Sequence, residues 1–108
     1  PLPGIVSILH RVSGAGLFLM LPVLLSLFGN SVGSPESYAA YKAVIGNILV
    51  KLLLLGLLWA YLHHFCAGIR FLLLDMHVGI EKEAARSSSR IVLIVSLILT
   101  VTIGAKLW

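Results

Sequence analysis

The chain has 108 residues, a net charge of +4 and a lopsided composition, with 59% apolar and only 11% charged side chains. A soluble domain carries about 45–50% apolar and about 25% charged residues. That gap rules out disorder and argues against a water-soluble domain. It leaves a small integral membrane protein, provided the apolar residues gather into spans of about 20. Eight cations along so oily a chain point to orientation in a bilayer and not to nucleic acid. The single cysteine, Cys66, excludes an internal disulfide and a cysteine-held metal cluster. In an apolar stretch it behaves as a small hydrophobe.

Three apolar runs follow in chain order. The first extends from about Val12 to Gly29, and Asn30–Glu36 after it has loop composition. The second is long, from about Ala43 to Leu74. The third extends from Ile91 to Trp108, just after Ser87-Ser88-Ser89. Lys51 and Arg70 bracket roughly 28 Å of helix, Arg90 and Lys106 roughly 24 Å, and Arg11 to Gly29 roughly 27 Å, which suits a hydrocarbon core of about 30 Å. Backbone groups in lipid need internal partners, and β-alternation is absent. The expectation is an all-α integral membrane protein of one domain, residues 1–108. Its transmembrane helices fall at about 5–29, 43–74 and 91–108, enough for half of a membrane-anchor bundle. Arg11, Arg70, Lys82, Arg86 and Arg90 would share one side; Lys42, Lys51 and Lys106 would share the other. The positive-inside rule then puts the N-terminus and the Asp75–Arg90 loop in the cytoplasm or matrix.

Ser7, His10, Arg11 and Gly14, at offsets 0, 3, 4 and 7, form one stripe on the first helix. A hydroxyl, a switchable imidazole and a five-donor cation can hold a carbonyl or carboxylate at the membrane edge. Gly14 leaves room for something to lie close against the backbone. The plainer reading is that Arg11 snorkels to lipid phosphate with His10 beside it.

Tyr61-Leu62-His63-His64-Phe65-Cys66-Ala67-Gly68-Ile69-Arg70 carries a sharper signal, because an imidazole inside a span is costly and marks function. His64 lies roughly 9 Å deeper than Arg70. Three readings stay open at this point: a haem ligand, a hydrogen bond between helices, or proton transfer. No acid lies within a span, which weakens the last. For haem, His64 supplies a ligand and Gly68 removes a side chain where a macrocycle would lie. Arg11, His10 and Arg70 are cations or donors in reach of propionates. His63 points about 100° from His64, so the two cannot grip one iron. His10 and His77 sit too near the surface, so a second axial histidine has to come from a partner chain.

These residues resemble a known family. Ser7-Ile8-Leu9-His10-Arg11-Val12-Ser13-Gly14, then His64 four before the Gly68-Ile69-Arg70 motif, then Asp75, resemble the cytochrome b subunits of succinate dehydrogenase, respiratory complex II. The resemblance implies that His64 is the axial ligand of haem b. It implies that Ser7, Arg11 and Asp75 belong to a ubiquinone site, and that His10 and Arg11 meet the propionates. It implies that the haem is shared with a smaller anchor subunit that gives the opposite histidine. An iron–sulfur subunit would complete the quinone site, and succinate would be oxidised on a flavoprotein subunit, with no succinate or flavin site on this chain. Many relatives carry histidine after the arginine of the second motif; here the residue is Phe71. His63 is an addition, read as packing or as propionate-side hydrogen bonding.

On this reading electrons pass from the iron–sulfur subunit to quinone, and Arg11 beside the quinone stabilises negative charge on its oxygens. Two rivals remain: a haem-free anchor of the fumarate reductase type, and a small proton-translocating subunit using His63 and His64. The motifs and the lack of a transit-like segment point to a bacterial inner membrane before a mitochondrial one.

Overall fold

The computed structural model describes residues 1–108 as four helices: α1 (Leu2–Gly33), α2 (Pro35–Ile45), α3 (Ile48–Asp75) and α4 (Lys82–Leu107), with no strand. α1, α3 and α4 have mean hydropathies of 2.0, 1.7 and 2.0 over their most apolar windows and are long enough to cross a membrane. The chain is therefore an all-α protein with three transmembrane helices. Its long axis of 55 Å exceeds a hydrocarbon core of about 30 Å, so both ends reach the headgroups. Large side chains such as Phe18, Leu19, Phe28 and Leu49 are exposed along the helices, which suits a surface solvated by lipid.

The helix ends differ from the sequence expectation for identifiable reasons. α1 runs through Asn30–Gly33, where a loop is expected, and stops at Ser34, whose backbone turns extended (φ −153°, ψ 167°). There Ser34 Oγ accepts from Ser37 N at 3.0 Å and Ser34 N donates to Ser37 Oγ at 2.8 Å. This reciprocal cap, with Pro35 at the first helical position, starts α2. The long second run is not one helix from 43 to 74. It breaks at Gly46-Asn47, where Asn47 Oδ1 accepts from Leu49 N at 2.9 Å and caps α3. α4 begins at Lys82, nine residues before Ile91. Its serines are tolerated there because Ser88 and Ser89 satisfy their hydroxyls on Ala85 O, at 3.1 and 2.8 Å. Pro22 sits inside α1, where it removes one backbone hydrogen bond.

α3 ends in a Schellman turn. His77 N donates to Leu74 O at 2.9 Å and Val78 N to Leu73 O at 2.9 Å, with His77 itself left-handed at φ 60°. Gly79, at φ 69°, completes the reversal into α4. The three spans meet in the half of the bundle next to this turn. Val6, Ala67 and Val92, one from each span, form the apolar centre. Ser13, His63, Arg70, Ser89 and Ser96 are buried around it.

Candidate functional site: an oriented histidine between α1 and α3

His64 leaves α3 toward α1 and lands on the backbone of the stripe that begins at Ser7. Its Nδ1 lies 2.9 Å from the His10 carbonyl oxygen. A carbonyl only accepts, so Nδ1 carries the proton and donates. Ser13 Oγ donates to the same carbonyl at 3.0 Å and lies 3.3 Å from Nδ1. The tautomer is thereby fixed, and Nε2 keeps its lone pair.

Steric contacts hold the ring as firmly as the hydrogen bond does. The His10 and His64 rings stack, with centroids 4.1 Å apart and planes 6° from parallel. Gly14 lies beneath: a Cβ there would stand 2.7 Å from His64 Cε1 and 3.1 Å from Nδ1. The room that Gly14 leaves is thus filled by the His64 ring itself. At Gly68 a Cβ would meet His10 Nε2 at 3.7 Å, an ordinary contact, so the edge of His10 covers that glycine. Phe71 closes the far side of His10, ring centroids 5.0 Å apart. What remains is an open groove of about 390 Å³ lined by His10, His64, Phe65, Gly68, Ile69 and Leu72.

Other residues singled out in the sequence lie elsewhere. Ser7 is half-buried and Arg11 exposed on α1, one turn below and immediately beside His10. Asp75 is the exposed last residue of α3. Arg70 is not in the groove. Six residues beyond His64, it is turned about 120° around the helix, onto α4. There it is 6% exposed, its Nε donates to Ser88 Oγ at 2.9 Å and its Nη2 to Ala85 O at 3.4 Å. Its guanidinium carbon also stands 5.9 Å from the Phe71 ring. His63 is 0% exposed, packed inside the bundle. It stands beside Trp59, ring centroids 5.0 Å apart, and neither of its nitrogens nor Trp59 Nε1 has a hydrogen-bond partner. Ser13 is a site residue that the sequence reading missed; its position three after His10 and one before Gly14 was the available signal.

No three metal-ligating side chains come together in the chain. The site is a single oriented imidazole, a base on the side of a membrane helix bundle, facing a groove that another molecule can enter. The class this defines is a membrane-spanning helix bundle with one oriented imidazole at a lateral groove. Residues 1–103 match the succinate dehydrogenase/fumarate reductase transmembrane subunit family, and the chain belongs to it. It is 36% identical to the succinate dehydrogenase cytochrome b556 subunit of Coxiella burnetii, over 100% of this chain and 87% of that one. It is 33% identical to the subunit of that name from Paracoccus denitrificans, over 94% and 78%. A third relative of the same name, from Rickettsia felis, is 29% identical over 87% and 73%.

Proposed function

We propose that this chain is the membrane-anchor and haem b-binding subunit of a succinate:quinone oxidoreductase, with His64 Nε2 as the iron ligand. The observation that carries this reading is the seating of His64. A proton held on Nδ1 by the His10 carbonyl fixes the tautomer and the ring plane and leaves Nε2 free to bond, as outer-shell partners do for metal-bound histidines. A purely structural anchor has no use for a ring clamped on three sides with its second nitrogen unspent. The relatives' cytochrome names and the open groove support the same reading. In this reading the haem is shared with a smaller anchor subunit that brings the second histidine.

Haem b, when bound, supplies a one-electron store beside the quinone. The work of this chain is to hold and to exclude. His64 would ligate the iron, and the His10 ring keeps it from rotating. Gly68, Ile69 and Leu72 give a flat apolar wall that keeps water from the groove. Arg11, exposed beside His10, holds propionate or quinone oxygen, and Ser7 offers a hydroxyl one turn away. Asp75 stands at the same end of the bundle, where ubiquinone would enter against the iron–sulfur subunit. Arg70 acts at a distance, fixing α3 to α4 through Ser88. Succinate oxidation belongs to the flavoprotein subunit. The relatives are bacterial, which supports placement in a bacterial inner membrane; the arginine-rich end, with the N-terminus, then faces the cytoplasm.

The test is a reduced-minus-oxidised absorption spectrum of the purified complex carrying His64→Ala. The haem band is lost or shifted, while succinate oxidation by an artificial dye continues. An unchanged band overturns the assignment of His64.

A further inference from the structure

The half of the bundle next to α2 contains a cleft that the histidine site does not use. It holds about 430 Å³, and all ten lining residues are hydrophobic. Tyr41 of α2 and Trp108, just past the end of α4, line it; Leu54, Leu58 and Tyr61 of α3 form one wall and Leu24 of α1 another. From the level of Lys51 to that of Tyr61 the cleft descends roughly 15 Å along α3. The whole bundle is only 24 × 19 Å across. A helix is about 10–12 Å in diameter with its side chains, so a slot left among four helices takes a chain and not another helix.

The end of the bundle next to α2 is cationic. Lys42 is in the last turn of α2 and Lys106 in the last turn of α4. Lys51 heads the stripe that continues as Leu54, Leu58 and Tyr61, at offsets 3, 7 and 10. Of the four acidic residues only Glu36 lies at this end, in the first turn of α2; Asp75, Glu81 and Glu83 are at the other. Span orientation leaves these three lysines unexplained, because they sit on the side with fewer cations. Lysine ammonium groups at a membrane surface attract anionic headgroups, and an open slot between helices forfeits dispersion contacts until hydrocarbon fills it.

We infer that this cleft binds one anionic phospholipid, an acyl chain lying along Leu54, Leu58 and Tyr61 and the phosphate held among Lys42, Lys51 and Lys106. The test uses the whole complex in phosphatidylcholine nanodiscs doped with either phosphatidylglycerol or phosphatidylcholine carrying a photoactivatable acyl chain. Cross-linked residues are mapped by mass spectrometry. Phosphatidylglycerol labels the 52–61 segment of α3 about tenfold more than phosphatidylcholine does. The combined change Lys42→Gln, Lys51→Gln and Lys106→Gln removes that preference, and Leu58→Trp lowers labelling by both lipids. Equal labelling of the unaltered complex by the two lipids overturns the inference. So does an absence of label in 52–61, the outcome if a partner subunit seals the cleft. The two-lipid comparison on the unaltered complex decides even where a variant fails to assemble.

Discussion

The two halves of this bundle are built from different residues and do different things. Next to the α3–α4 turn, small and polar side chains bring three helices together: Ala67, Gly14, Ser13, Ser89 and Ser96 let backbones approach, and the hydroxyls bond within their own helices. This is the packing expected in lipid, where leucine gains nothing by leaving one hydrocarbon for another. Next to α2, leucines predominate and the helices part around a cleft. The tight point there is Gly104, where a Cβ would stand 2.6 Å from Leu55 Cδ2, the movable end of a flexible chain. The close-packed half fixes a ring to a hydrogen bond's tolerance, and the open half offers hydrocarbon space. Position in the bundle, more than residue type, decides what a side chain does here.

The same substitution in each half is the sharpest way to break that comparison. Gly14→Ala drives a methyl into His64 Cε1; overpacking of this kind costs about 1–3 kcal/mol. The ring must tilt off the His10 carbonyl, so the complex melts earlier and its haem band weakens together. Gly56→Ala, in α3 near the cleft, meets nothing within 4 Å. It gains helix propensity of about 0.5–1 kcal/mol. Thermal melts of the two variants that moved in the same direction would remove the distinction.

Arg70 tests whether position or motif sets its role. Its hydrogen bonds run to Ser88 and Ala85, and bonds to a charged group contribute about 1.5–3 kcal/mol. Arg70→Met therefore destabilises the complex by about 1.5–3 kcal/mol, read as a lower melting temperature, while haem content per complex is unchanged. Loss of haem without loss of stability would place Arg70 at the propionates after all.

His63 predicts an effect of opposite sign. Its two nitrogens are enclosed with no well-formed hydrogen bond, only an approach to the Val6 backbone, and a buried polar group left without a good partner costs up to about 1–3 kcal/mol. His63→Leu keeps most of the volume, removes that cost and raises the melting temperature. His64→Leu, its neighbour in sequence, does not. A fall in stability for His63→Leu would mean that the ring has partners the fold conceals.

These contrasts also mark what the sequence made legible. The three spans are readable because lipid demands long apolar runs, and the His10–Gly14 stripe and the His64–Gly68 pair are readable each on its own helix, but not as facing one another. The break at Gly46-Asn47 was not, because apolar residues flank it and hide a cap that polarity alone would have exposed. Ser87–Ser89 falls in the expected Asp75–Arg90 loop, yet it lies inside α4, with the hydroxyls of Ser88 and Ser89 satisfied on Ala85 O. Arg70 was placed by nearness in sequence to Gly68, where helical angle sends it to the opposite neighbour. Gly14 announced a close approach without saying that the guest was His64.

The smallest effect belongs to the turn that joins the close-packed ends of α3 and α4. His77 is exposed and left-handed at the position after the helix cap, where glycine is the usual residue. A side chain in that conformation costs about 1–2 kcal/mol, and glycine's extra freedom in the unfolded chain returns about 0.5–1 kcal/mol of any relief. His77→Gly is thus expected to stabilise by roughly 0.5–1 kcal/mol, read as a small rise in melting temperature with an unaltered haem spectrum. If it lowered stability, or changed the spectrum, His77 would be a working residue at the membrane edge and the turn would belong to the site.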